Sequence, residues 1–129
     1  MFGQTVGDYR SASTGVWNWN IAANWQIYTG SMWITASDFP GQTTSPNTVT
    51  TRPYSTITIN ENITDYPIQN LVIEQNATII LSHTNLNVSN TIIIRGLFVN
   101  QSLIGSATFK NVTIDGGTWQ NQVVKSYAI

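Results

Sequence analysis

The chain has 129 residues and a formal net charge of −1, and only 9% of its residues are charged. This length fits a single domain and excludes a large multidomain enzyme. Without a surplus of basic residues, nucleic acid is not an expected partner. The sequence contains no cysteine, so disulfides and cysteine-based metal sites or nucleophiles are excluded. It also has no run of 18 apolar residues, so we expect no membrane insertion.

The composition favours β-strands throughout. Ile, Val and Thr together supply 43 residues, whereas Ala, Leu, Glu and Lys together supply only 16. Side chains that branch at the β-carbon favour strands, whereas Ala, Leu, Glu and Lys favour helices. Because charged residues are so few, neutral polar residues, chiefly 18 Thr and 14 Asn, must make the surface hydrophilic. The sequence therefore predicts an all-β fold.

Residues 1–54 differ in composition from the rest of the chain. They hold four of the five tryptophans and three of the four prolines, with turn-forming stretches at residues 38–41 and 45–47. We predict that this segment forms an irregular, Trp-rich N-terminal cap or side cover. Residues 1–4 are expected to be the remnant of a secretory signal peptide, the alternative being an ordinary cytoplasmic start.

Residues 55–129 carry short apolar alternations that recur at a nearly fixed distance. Ile73, Ile94 and Ile114 are 21 and 20 residues apart, and each ends a triplet with apolar first and third residues. A charged residue, a tight turn and another strand follow each triplet. A repeat of about 20 residues built from short strands and turns is typical of a β-solenoid. We predict about three solenoid coils over residues 55–129.

Three segments of the chain resemble a known family. They are YRSASTGVWNWN at residues 9–20, ANWQIYTGSMW at 23–33, and TITIN at 56–60 with the coils that follow. They look like the N-terminal β-solenoid module of large secreted, adhesin-like surface proteins of Bacteroidota, many exported by the type IX route. The resemblance implies a right-handed parallel β-helix at the cell surface without catalytic activity. The chain has fewer turn glycines than the family, with Asn76 and Asn90 near positions where glycine is usual.

The charged residues favour a structural role over catalysis. Glu74 and Asp115 occupy equivalent positions two coils apart, a spacing that would suit the carboxylate pair of an inverting glycosidase. Arg95 stands between them, however, so the column predicts a salt-bridged ladder and not an acid with a raised pKa. His83 has no cysteine or second histidine with which to bind zinc. We expect neither an enzyme nor a metal or other cofactor.

The aromatic residues of the first segment allow two interpretations. They could stack on sugar rings, or they could form the core of a cap that covers the open end of a solenoid. The sequence favours the cap, and carbohydrate binding is the alternative function, with a polysaccharide as partner. The candidate sugar-stacking residues are Trp17, Trp19, Trp25, Trp33 and Tyr28.

Apolar residues also fall at positions predicted to face outward. If the first and third residues of each triplet point inward, the second residue points outward. Residues 123–129 form a strand-like apolar tail without a polar cap, so the last coil should stack on a neighbouring coil or an identical subunit, head to tail or as a fibre. The predicted association surface consists of Val72, Ile80, Ile93, Phe98, Val123, Val124, Tyr127 and Ile129.

The sequence as a whole predicts a small extracellular β-solenoid module with a structural or adhesive function. Self-association through the open coil end would be its activity. A carbohydrate-binding module is the second interpretation. A polysaccharide lyase comes third, because fold alone implies no activity and three coils offer no cleft lined by basic residues.

Overall fold

The computed structural model describes residues 4–103 and 106–122 of the chain. Short β-strands make up most of this part, with a single turn of 3₁₀-helix at Ala22–Asn24. The strands are β1 (Tyr9–Ser11), β2 (Gly15–Asn18), β3 (Trp25–Tyr28), β4 (Trp33–Thr35), β5 (Thr48–Thr51), β6 (Ser55–Ile59), β7 (Ile63–Ile73), β8 (Thr78–Leu81), β9 (Leu86–Ile94), β10 (Leu97–Asn100), β11 (Ala107–Thr108), β12 (Asn111–Ile114) and β13 (Thr118–Asn121). The predicted all-β fold is confirmed.

The strands form two sheets. The large sheet has the order β11-β9-β7-β5-β1-β3-β4, with β12 also paired to β9, and the small sheet has the order β13-β10-β8-β6-β2. Every pair is parallel except β1 with β3 and β3 with β4. Because the chain alternates between the two sheets, successive passes stack as coils, and the β-solenoid prediction is confirmed.

The strand register defines the length of each coil. Thr48 pairs with Asn70, Asn70 with Thr91, and Thr91 with Asn111, so three successive coils take 22, 21 and 20 residues. The repeat seen in the sequence corresponds to a physical stack. Ile73 pairs with Ile94, which pairs with Ile114, as predicted.

Columns of inward side chains hold the coils together. In the large sheet, Val49, Leu71 and Ile92 pair in sequence and are fully buried. Burying an aliphatic side chain of this size contributes about 1.5–3 kcal/mol, so a stack of such residues supplies a substantial core. In the small sheet, the corresponding column consists of Trp17, Ile57, Ile79, Phe98 and Trp119.

Tryptophans close the N-terminal end of the core. Trp19 and Trp25 are fully buried, and their ring centroids lie 4.6 Å apart. Their indole nitrogens are satisfied, since Trp25 Nε1 donates to the Trp19 carbonyl at 2.8 Å and Trp19 Nε1 donates to the Pro40 carbonyl at 2.9 Å. The antiparallel strands β3 and β4 extend the large sheet at the same end. A Trp-rich cap therefore exists at this end of the solenoid.

The border between cap and coils lies inside residues 1–54. Strands β1, β2 and β5 fall within the segment predicted as cap, yet they pair in parallel with coil strands. Within the described part of the chain, the segment between β2 and β5, residues 19–47, is the one that departs from the coil path. The short strands β1 and β2 were missed because their inward positions carry Tyr9, Ser11 and Trp17 instead of a run of Ile and Val.

Candidate functional site

A cavity of about 430 Å³ lies on the outer face of the large sheet. Arg10 pairs with Thr50, Thr50 with Val72, and Val72 with Ile93, so these residues form one outward row across four strands. Alternate residues of a strand face the same side. This row therefore forms the floor of the cavity, and all three arginines of the chain line it.

Two contacts position Arg10 at the edge of this floor. Its guanidinium carbon lies 4.4 Å from the centre of the Trp33 ring, and its Nε donates to Gln26 Oε1 at 2.7 Å. A guanidinium over an indole face is a favourable cation–π arrangement. Burial lowers the pKa of Arg10, and the nearby charge of Arg52 lowers it further.

Arg52 is bound to the backbone at the end of β1. Its Nε donates to the Ser11 carbonyl and its Nη2 to the Ala12 carbonyl, each at 2.8 Å. Within residues 4–103 and 106–122, neither Arg10 nor Arg52 has a carboxylate within salt-bridge distance. These two arginines of the cavity wall therefore form no ion pair in this part of the chain, although the Asp8 carboxyl group lines the same cavity.

Arg95 differs from the other two arginines because its charge is neutralised. It bonds Glu74 through Nη1 at 2.9 Å and Asp115 through Nε at 3.0 Å. Hydrogen bonds to Asp115 and then to Glu74 raise the pKa of Arg95. The predicted ladder is confirmed, and the column of Glu74 and Asp115 holds an ion-pair network rather than two free carboxylates.

Two buried polar groups complete the cavity wall. Asp8 is only 3% exposed and accepts hydrogen bonds from the backbone N–H groups of Thr5, at 2.8 Å, and Thr48, at 3.1 Å. Burial raises the pKa of Asp8 against the opposing effect of these bonds. Thr48 is 4% exposed, and its Oγ1 has no hydrogen-bond partner among the described residues.

The five candidate sugar-stacking residues separate into two groups. Trp19 and Trp25 are fully buried in the cap and present no face to a ligand, and Trp17 packs edge-on against Trp25 at 5.2 Å. Tyr28 and Trp33 are partly exposed, with ring centroids 5.2 Å apart. Of the five, the structure brings only Trp33 to the cavity.

The predicted association surface is also divided. Phe98 does not face outward: it is fully buried, because β10 pairs Phe98 with the inward Ile79 and so turns the middle residue of its triplet to the core. Val72 and Ile93 lie on the outer face but line the cavity, and Ile80 is partly exposed. The remaining predicted residues, Val123, Val124, Tyr127 and Ile129, lie outside the described part of the chain.

A second cavity, of about 510 Å³, lies beside the turn that contains His83. Its polar groups mostly bond one another: Thr84 N–H donates to Ser102 Oγ at 2.8 Å, and Thr84 Oγ1 donates to Asn62 Oδ1 at 2.7 Å. Across residues 4–103 and 106–122, no three His, Cys, Asp or Glu side chains cluster as a metal site would require. This cavity therefore has fewer polar groups available to bind a ligand than the cavity lined by arginines.

The described residues contain no helix long and apolar enough to cross a membrane. No protein-family model matches the chain, and neither the curated proteins nor the solved structures contain a significant match.

Proposed function

We propose that the protein is a non-catalytic structural module, a β-solenoid closed at one end that associates through its other end. The difference between the two ends carries this proposal. Buried tryptophans and the antiparallel strands β3 and β4 cover the N-terminal end. At the opposite end, β12 repeats the inward pattern of β9 with nothing over it among the described residues.

The exposed fractions of paired residues in β9 and β12 show that the C-terminal end of the described part of the chain is open. Ile92 and Ile94 of β9 are fully buried, whereas their register partners Val112 and Ile114 of β12 are 43% and 53% exposed. Phe109, nearby in the chain, is 39% exposed. An apolar row beside an unpaired strand edge is a template for further strand pairing.

A further coil or a second copy of the chain would cover this end. The cap already occupies the N-terminal edge of the large sheet, so this edge is not free to pair with another copy. We therefore expect two copies to associate through their open ends. Such contact is isologous and closes as a dimer, whereas head-to-tail contact would continue into a fibre. The resemblance to Bacteroidota surface modules supports an extracellular, adhesin-like setting for this role.

Light scattering after size-exclusion chromatography, over a range of concentrations, tests the proposal. We expect a concentration-dependent dimer that Ile114→Lys abolishes, because a charge would then be buried in the contact. Val16→Lys is the matched control, since Val16 is 81% exposed on β2 at the capped end. A monomer at every concentration would contradict self-association, and loss of the dimer only in Val16→Lys would indicate a different interface.

Carbohydrate binding is a second candidate function, favoured by one observation. Trp33 is a partly exposed aromatic residue that lines a cavity together with hydroxyl and guanidinium groups. Such mixed walls are typical of sugar sites. Intrinsic tryptophan fluorescence with a polysaccharide panel tests it: emission should shift with one polysaccharide in the wild type and not in Trp33→Phe.

A further inference from the structure

The arginine-lined cavity has the size and the composition of a ligand site. Its volume of about 430 Å³ falls in the range of about 300–1,000 Å³ that small-molecule sites occupy. Val72 and Ile93 form the apolar part of its floor, and polar groups surround them. A ligand for this cavity therefore needs an apolar face and polar substituents at its rim.

Arg10 and Arg52, which form no ion pair among the described residues, favour an anionic group on that ligand. Arg10 uses Nε to bond Gln26 and is stacked on Trp33, so the fork of its two terminal nitrogens is set in place before a ligand arrives. A guanidinium fork matches a carboxylate with two parallel hydrogen bonds. Arg52 lies close enough to lower the pKa of Arg10, and an anion between them would relieve this repulsion.

The buried hydroxyl group of Thr48, independently of the arginines, also indicates a ligand in this cavity. Thr48 Oγ1 is buried without a partner among the described residues, and Thr48 lines the same cavity. A buried hydroxyl that lacks a partner is costly, so a ligand group that bonds it gains affinity. The Asp8 carboxyl group, which also lines the cavity, can accept a hydrogen bond from a ligand hydroxyl.

We propose that this cavity binds a carboxylate-bearing sugar, that is, a uronic acid residue of an acidic polysaccharide. The carboxylate bonds the Arg10 fork, the hydroxyls meet Thr48 and Asp8, and the C–H face of the ring lies on Val72, Ile93 and the edge of Trp33. This inference rests on the second candidate function, carbohydrate binding, and names its ligand class. It is independent of association through the open end.

Isothermal titration calorimetry of the full chain with trigalacturonate, a neutral galactose trisaccharide and inorganic sulfate tests the inference. We expect trigalacturonate to bind at least tenfold more tightly than the neutral sugar, and its affinity to fall as NaCl is added. Arg10→Gln should weaken trigalacturonate binding at least tenfold. Lys110→Gln removes the same charge at an exposed position outside the cavity and should leave binding unchanged.

A Thr48→Val variant separates ligand binding from a structural role. It removes a hydroxyl without a partner, so its thermal unfolding midpoint should stay the same or rise, while its affinity for trigalacturonate falls. If the neutral sugar binds as tightly as trigalacturonate, the acidic-ligand inference is overturned but carbohydrate binding survives. If no sugar binds, both are overturned. If sulfate binds as tightly as trigalacturonate, the site is a general anion site and the sugar assignment is wrong.

Discussion

Trp17 and Trp119 occupy the two ends of a single inward column in the small sheet, separated by Ile57, Ile79 and Phe98. The column thus begins and ends on an indole ring. At the N-terminal end Trp25 packs edge-on against the partly exposed Trp17. At the far end Trp119 is partly exposed and lies over Phe98, with ring centroids 4.5 Å apart. Trp119 therefore serves as the partial lid of an end that is otherwise open.

Removing this lid should destabilise the fold. Trp119→Ala exposes the fully buried Phe98 and also removes the contact with Phe109, whose ring centroid lies 5.4 Å away. Full truncation of a buried Trp costs about 3–5 kcal/mol, and because Trp119 is partly exposed we expect about 2 kcal/mol. Urea unfolding measures this loss. Val16→Ala, at an exposed site, should change the free energy of unfolding by less than about 0.5 kcal/mol; a similar loss in both variants would contradict the lid.

Gly96 is a position where the close stacking of coils leaves no room for a side chain. A Cβ atom there would collide with the backbone carbonyl oxygens of Glu74 and Ala77 in the coil below. Because backbone atoms cannot move aside cheaply, Gly96→Ala should destabilise the protein by about 2 kcal/mol or more. Thermal and urea unfolding check this result.

Gly116→Ala provides the comparison for Gly96→Ala. Gly116 has a φ of +79°, but a Cβ atom there would meet nothing within 4 Å. Its substitution carries only the strain of a left-handed backbone, about 1–2 kcal/mol. Equal losses in the two variants would mean that the coils can separate locally to admit the Gly96 methyl group.

The charge ladder should contribute little to stability, and less in salt. Arg95 and Glu74 are each about one-third exposed at the side chain, and Asp115 is 61% exposed. Exposed ion pairs contribute about 0.2–1 kcal/mol, so Arg95→Gln should cost about 1 kcal/mol in low salt and less in 1 M NaCl. Urea unfolding at both salt concentrations measures it. If the loss of unfolding free energy is the same at both salt concentrations, Arg95 stabilises the protein through packing and not through its charge.

The sequence pattern predicted the coils where inward positions carry aliphatic residues. Ile73, Ile94 and Ile114 repeat at the coil length, and the residues that follow them form the ladder. The pattern failed at Phe98, because Leu97 and Val99 flank it as apolar neighbours and hide which residues point inward. Alternation determines a face only when the two faces differ in polarity.

The arginine cavity could not be predicted for a related reason. Arg10 and Arg52 precede the regular repeat, and the cap segment of residues 19–47 is inserted between β2 and β5. This insertion hides that the two arginines lie on adjacent passes of the same sheet, since β1 pairs directly with β5. The spacing of 42 residues between them equals two coil lengths, although the strand pairing places them on adjacent passes of the sheet. The expectation of no cleft lined by basic residues concerned the three predicted coils, and Arg10 and Arg52 precede those coils in the chain.

Asp8 should make the stability of the protein depend on pH. Burial raises its pKa above the usual value of 3.8, so the folded state binds this proton more tightly than the unfolded state does. The favourable contribution is present below the unfolded pKa and is lost as pH rises through the higher folded pKa, where an ionised carboxylate must stay buried. The free energy of unfolding should therefore decline relative to Asp8→Asn as pH rises from about 3 to neutral.

Urea unfolding of both proteins across this pH range measures the difference. Asp65→Asn is the control for net charge, because Asp65 is an exposed carboxylate elsewhere on the chain. Asp8 also accepts hydrogen bonds from Thr5 and Thr48, which act in the opposite direction by favouring the ionised form. If the stability of the wild type relative to Asp8→Asn increases with pH, these two bonds outweigh burial, and Asp8 is a stabilising anchor of β1 rather than a buried group held at a cost.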